Sequence, residues 1–242
     1  MGDPVEAKRL LVVGAHSADF VWRAAGAIAK HTAAGGEARV VALSYGERGE
    51  SGELWKEPGQ TVDNVKRHRH AEATEAADAV GASFECFDLG DYPLEVGPEA
   101  IERLAELMRD FKPHVVLTHP DKDPFNPDHP VANVAVSKAR LLTAGAVVEA
   151  GFRTAPPSEF LVFEPHQPEL CGFTPSVFVD ISDVFELKVK AMSAMRAQSY
   201  LQQYYAERAD HRGNHARKVT GRKQIRQAEA FQRLVPNVVE AL

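Results

Sequence analysis

The chain has 242 residues, of which 44% are hydrophobic and 26% charged, and its formal charge is −6. That length is enough to bury a sizeable core and suits one domain over residues 1–242. The acidic balance argues against the basic face that a nucleic-acid partner needs, and no apolar run approaches the roughly 18 residues of a membrane span. Only two cysteines occur, Cys86 and Cys171, outside any CxxC pattern, so a reduced cytoplasmic protein without a disulfide framework is expected. Met1–Glu6 shows no basic and then apolar leader.

In chain order, Arg9–Gly14 reads as a buried strand and Asp19–Ala34 as a helix stopped by Gly35-Gly36. Ala38–Leu43 is a second strand, followed by a polar loop over 44–60. Val62–Val80 has apolar residues at helical spacing up to Gly81, Phe84–Leu89 reads as strand, Glu99–Phe111 as helix and Val115–Thr118 as strand. A loop rich in Pro and Asp, His119–Pro130, leads into a helix from Val131 to about Gly151. Glu159–Phe163 and Val177–Ile181 are further strands. A helix from about Val184 to Arg208 and a basic helix from about Gly221 to Leu234 close the chain. Strands alternating with helices of this length predict an α/β fold with a mostly parallel sheet flanked by helices.

In such sheets, ligands bind beyond the carboxyl ends of the strands, where strand order reverses. Four polar loops fall at predicted strand ends, 15–19, 44–60, 118–130 and 164–169, and the topology predicts that they meet. His16 and Asp19, three apart at a strand-to-helix turn, can aim a nitrogen and a carboxylate at one ion; taken alone, a loop histidine and a helix cap explain them equally. Asp128-His129 offers a third ligand, His129, with Asp128 placed to orient an imidazole or handle a proton. Together these give a two-histidine, one-carboxylate set with open positions, which suits a catalytic zinc.

The Ala-His-x-x-Asp strand end, the helix with Ala25-Gly26-Ala27, the Arg69-x-x-Glu72 pair and the Asp128-His129 loop resemble the LmbE/PIG-L family. The resemblance runs from about residue 9 to 235. It implies a Rossmann-like sheet, zinc bound by His16, Asp19 and His129, Arg69 near the substrate, a homo-oligomer, and N-deacetylation of amino sugars or their conjugates. Two departures stand out. The family's deacetylase motif is His-Pro-Asp-Asp, whose first Asp activates the water, and Ala18 occupies that position here. Its second loop usually reads His-Pro-Asp-His, and Asn126 replaces the first histidine. An alanine takes no proton, so a retained metal grip without the hydrolytic base implies another reaction.

Ala15–Arg23, Tyr45–Ser51, Gly90-Asp91-Tyr92-Pro93 and Phe163–Glu169 resemble a hydratase branch of that family, which adds water to the C=C of a tricarboxylic keto acid in aromatic-acid breakdown. Hydration of a conjugated keto acid needs a Lewis acid, a base for water and an acid for the neighbouring carbon. Glu50 and His166 are the expected proton-transfer pair, with Asp128 beside them and Glu47 as the alternative to Glu50. A small tricarboxylic substrate needs cations, for which Arg23, Arg48, Arg69 and Lys122 are candidates, Arg48 and Arg69 foremost; Asn126 is a further contact. His31, His68, His70, His114, His211 and His215 are expected at the surface or in packing, and His119, at a strand end, is the exception that can touch the site. Tyr200, Tyr204 and Tyr205 are expected to pack the C-terminal helix or a subunit contact. A deacetylase with a relocated base, such as Asp128, and a non-catalytic metal-binding protein are the competing readings.

Overall fold

Alternate residues of the first strand face opposite ways, and this sets the plan of the molecule. In β1 (Arg9–Gly14), Leu10 and Val12 enter one buried cluster while Leu11 and Val13 enter another. The computed structural model describes residues 8–145, 154–236 and 238; Met1–Glu6 and the end of the helix predicted to run to Gly151 lie outside them.

The strands β2 (Glu37–Ala42), β3 (Ser83–Cys86), β4 (Val115–Thr118), β5 (Glu159–Phe163), β6 (Val177–Asp180) and β7 (Ala228–Arg233) complete a seven-stranded sheet in the order β3-β2-β1-β4-β5-β7-β6. The first five in that order are parallel, with Leu10 level with Ala38 on one side and Val115 on the other. β7 lies antiparallel between β5 and β6. The cluster on one face is closed by α1 (Asp19–Ala33), α2 (Val62–Ala79), α5 (Phe185–Ala194) and α6 (Gln202–Thr220), and the other by α3 (Pro98–Phe111) and α4 (Asp128–Ala144). Both faces of the parallel strands are therefore covered, as their near-continuous apolar sequences require. Strand order reverses between β1 and β4, so a crevice opens above their carboxyl ends. No helix among the described residues is long and apolar enough to cross a membrane, and both cysteines are free thiols.

Two expected elements are corrected. The stretch read as a basic helix over 221–234 holds β7 instead. Its Ala-Glu-Ala-Phe-Gln-Arg sequence favours helix locally, but Ala228, Ala230 and Phe231 are buried as the strand fills the space between β5 and β6. Buried Glu229 accepts hydrogen bonds from the backbone N–H groups of Gly26 (3.0 Å) and Ala27 (2.7 Å) in α1 and pairs with Lys188 Nζ at 2.6 Å. Lys188 also donates to the Trp22 carbonyl. The ion pair thus bridges Trp22 O and Gly26 N–H, which bond each other in a regular helix. Gly26 is needed there because a Cβ would lie 2.6 Å from Ile181 Cδ1.

The helix expected over 184–208 is interrupted. A 3₁₀ segment, Arg196–Leu201, separates α5 from α6, with Gln198 at φ −131°, ψ 29°. Buried polar bonds hold this break: Glu72 accepts from Ala197 N–H at 2.9 Å, and Arg69 and Trp22 both donate to Gln198 Oε1.

Candidate active site

Four side chains meet above β1 and β4. His16, Asp19, Glu50 and His129 each offer a ligand atom within 4.8 Å of the others. His16 follows β1 directly, and Asp19 opens α1 behind Gly14, where a Cβ would come within 2.9 Å of the Asp19 Cβ. Asp19 does not cap α1 with its side chain; its Oδ2 accepts from the His16 N–H at 2.7 Å and folds the turn that brings both groups to one point.

Each imidazole has one nitrogen held from behind. His16 Nε2 donates to Asp128 Oδ2 at 3.1 Å, and His129 Nδ1 donates to Asp123 Oδ2 at 2.8 Å. The opposite nitrogens, His16 Nδ1 and His129 Nε2, are buried and have no hydrogen-bond partner. His16 Nδ1 lies 3.2 Å from Glu50 Oε1 and 3.6 Å from Asp19 Oδ2, and His129 Nε2 lies 3.7 Å from Asp19 Oδ1. Two lone pairs and two carboxylates converging in a buried spot, with second-sphere carboxylates fixing both tautomers, form a donor set that fits a divalent cation. Burial opposes ionisation of both Glu50 and His16, yet the surrounding carboxylates raise the His16 pKa, and its positive charge holds the Glu50 carboxyl down to about 2; a divalent cation would displace the His16 proton and take over its charge.

The neighbouring loops are cross-braced. Asp128 also accepts the N–H groups of Tyr92 (3.0 Å) and Leu94 (2.9 Å), tying His16 to the Gly90–Pro93 turn. Asp91 in that turn accepts the N–H groups of Arg48 (2.9 Å) and Gly49 (2.7 Å), which fixes the loop carrying Glu50. His119 stacks on His129 with centroids 3.9 Å apart and places Nε2 2.9 Å from Asp19 Oδ2. Burial pushes its pKa down to about 3, so it supports the candidate ligand Asp19 as a neutral ring.

A cavity of about 260 Å³ opens beside these groups, lined in part by Arg23, Glu50, Asn126, His129, His166 and Tyr205. All four expected loops reach the site, and so do two segments that were not anticipated, the Tyr92 turn and the 198–205 stretch. His166 is clamped by α6: Tyr204 stacks on its ring at 4.2 Å and donates to its carbonyl at 2.6 Å, and Tyr205 Oη stands 3.5 Å from Nδ1. Glu164, paired with Arg208 and Arg212, anchors the same loop to α6. Burial and then the charges of Arg23 and Arg208 lower the His166 pKa, keeping the ring neutral near pH 7. The tyrosines therefore build the site wall rather than only pack a helix.

Several expected contacts are corrected. Glu50, assigned to proton transfer, also stands among the possible ligands. Asp128 acts through His16, since its two oxygens are occupied by that imidazole and two backbone N–H groups. Arg69 is fully buried behind the site and donates to Tyr45 O, Glu72 and Gln198, so it props the 3₁₀ segment instead of meeting a ligand. Arg48 and Lys122 are exposed and do not line the cavity; Asp123 turns inward to His129 and leaves its neighbour Lys122 outside. Glu47 is buried away from the cavity near Lys66 and Asp91, which separates it from Glu50. Arg23 and Asn126 do line the cavity, and Asn126 Nδ2 donates to Glu50 Oε1 at 3.4 Å. Gln198 was missed; with Oε1 held by Trp22 and Arg69, its Nε2 lies 3.5 Å from Glu50.

The family model described as PIG-L: GlcNAc-PI de-N-acetylase matches residues 11–140. The chain is 43% identical over 238 residues to 4-oxalmesaconate hydratase of Pseudomonas putida (strain KT2440), covering 97% of this chain and 92% of that protein. It is 30% identical over 227 residues to 1D-myo-inositol 2-acetamido-2-deoxy-alpha-D-glucopyranoside deacetylase of Mycobacterium sp. (strain KMS), covering 78% and 74% of the two chains. Among solved structures, GalB, the 4-carboxy-2-hydroxymuconate hydratase from Pseudomonas putida KT2440, superposes with a TM-score of 0.94 at 43% identity, covering 97% of this chain and 99% of that one.

Proposed function

The chain belongs to the PIG-L family, and from that premise we propose that it is a metal-dependent hydro-lyase that adds water to the C=C of 4-oxalomesaconate to give 4-carboxy-4-hydroxy-2-oxoadipate. The observation that carries this reading is the pairing of an intact donor set with Ala18. The methyl group at that position is fully buried in the core at the start of α1, so no carboxylate stands where the resemblance puts a deacetylase's base. The relatives that share most identity over nearly the whole chain carry hydratase names.

His16, Asp19 and His129 would hold a divalent ion, with Glu50 facing it, and the ion would supply a Lewis acid for an oxygen of the keto acid. Zinc suits this mixed nitrogen and oxygen set. Asp128 and Asp123 keep the proton of each imidazole on the outer nitrogen, so that the inner lone pairs stay available. Glu50 and His166 line one cavity and form the proton-transfer pair. As the hydroxyl of water bonds to one alkene carbon, its proton passes to this pair, and the neighbouring carbon receives a proton from it. The pair returns to its starting charge, and each well-placed transfer contributes roughly 10²- to 10⁴-fold. Asn126 and Gln198 hold the Glu50 carboxylate by its two oxygens. The reading extends to a cytoplasmic homo-oligomer serving gallate or protocatechuate breakdown.

Incubation of purified, zinc-loaded protein with 4-oxalomesaconate tests it. The absorbance of the unsaturated acid should decay, the decay should stop on chelation and return with zinc, and no acetate should be released from N-acetylglucosamine conjugates. An unchanged 4-oxalomesaconate spectrum would remove the hydratase reading, and acetate release would reinstate the deacetylase.

A further inference from the structure

We propose that Arg23 is the carboxylate receptor of this site, binding one carboxylate of the substrate from the cavity while Asp19 fixes it from the other side. The number of carboxylates presented to it rests on the hydratase reading; the anion-binding role itself rests on the following geometry.

Arg23 is the only cationic side chain among the described residues that line the 260 Å³ cavity. It projects from the second turn of α1, and its side chain is 7% exposed. Burying a guanidinium to that extent is costly unless its donors find acceptors. Only one of them has an acceptor among the described residues: Nη1 donates to Asp19 Oδ1 at 2.8 Å, and Nε is buried with no partner. The acceptor it does have is a carboxylate that also belongs to the candidate metal set. When a divalent ion draws on that charge, Arg23 is left with less compensation, which favours an anion at its open edge.

The surrounding wall suits a carboxylate held in this way. Trp22 stacks on Tyr205 at 5.5 Å and confines the α1 turn that carries Arg23. Gln167, Gln198 and Tyr205 line the same cavity with neutral groups, and the two carboxylates of that lining are engaged elsewhere, Asp123 with His129 and Glu50 with His16. A planar guanidinium matches a carboxylate through two parallel N–H···O bonds, which a lysine cannot reproduce. The other expected cations do not compete, because Arg69 has acceptors on all three nitrogens and Arg48 and Lys122 lie outside the cavity.

Titration calorimetry on zinc-loaded protein with tricarballylate, a saturated tricarboxylate that cannot be hydrated, tests the proposal, with zinc content measured in the same samples. Arg23→Met should weaken tricarballylate binding by roughly 10- to 100-fold with zinc content unchanged, and Arg23→Lys should fall between that variant and the parent. Unchanged tricarballylate affinity in Arg23→Met would overturn it. So would a loss that only follows the loss of zinc, since Arg23 would then act solely through Asp19, and so would an absence of binding by the parent protein. If Arg23→Met does not fold, Arg23→Lys decides, and parental affinity in that variant overturns the proposal. Arg23-dependent binding without consumption of 4-oxalomesaconate would remove the hydratase reading and leave the receptor standing. Consumption of 4-oxalomesaconate with parental tricarballylate binding in the variants would do the reverse.

Discussion

The two walls of the cavity are built differently. One wall carries His16, Asp19 and His129, which follow β1 and β4 at the strand-order reversal, and each ligand has a dedicated carboxylate, histidine or backbone partner behind it. The opposite wall carries Gln198, Tyr205 and His166, held by stacking and by a broken helix on the C-terminal third of the chain. The contrast teaches a division of construction: strand ends gather the candidate ligands by local turns, while long-range packing shapes the wall to which the proposal assigns substrate and proton transfer.

Substitutions can break or sharpen that contrast. The largest effect belongs to the grip: His129→Ala removes one of two inward nitrogen ligands, so bound zinc and hydration should both fall to background, read by metal analysis and absorbance decay. Next is the joint between the walls. Glu229→Gln leaves Lys188 buried without its counter-charge between α1, α5 and β7, at a cost of about 3–5 kcal/mol. Thermal unfolding should shift down by roughly 10 °C for a chain of this size, while the zinc stoichiometry of the folded fraction is kept. Asp128→Asn weakens the orientation of His16 without removing a ligand; zinc affinity should drop by about 10- to 100-fold in a competitive chelator titration.

The smallest effect concerns protons on the far wall. The charge of Arg208 disfavours protonation of His166, so Arg208→Met should raise the His166 midpoint towards the ordinary value of about 6.5. The sign follows from the lowered native pKa: neutral His166 is favoured by folding above the unfolded midpoint, and that contribution is lost as pH falls through the lower native one. An NMR titration of the His166 ring reads the shift; a midpoint that stays put would show that burial and Arg23 set it without Arg208.

The same contrast explains what could be read from the chain. β1, the His16 turn and the Asp128-His129 loop were legible because a buried parallel strand is a continuous apolar run and its end is marked by polar residues. Glu50 and His166 were found through a resemblance of whole loops, not through spacing. The far wall left little trace. Gln198 sits at a break held by Arg69, Glu72 and Trp22, none of them near it in sequence. β7 has a helix-forming composition that pairing with β5 and β6 overrides. Arg69 matched a family position, but only the fold shows that its donors are all taken by protein acceptors. Asp123 was visible in the loop, yet its bond to His129 depends on a turn that the sequence leaves open.

The most direct measurement of the account is a parallel assay of zinc content and 4-oxalomesaconate hydration in His166→Ala. Zinc occupancy should stay full and turnover should fall by roughly 10²- to 10⁴-fold, because His166 lines the cavity and is not among the four candidate ligands. Parental turnover in that variant, or zinc lost together with activity, would contradict it.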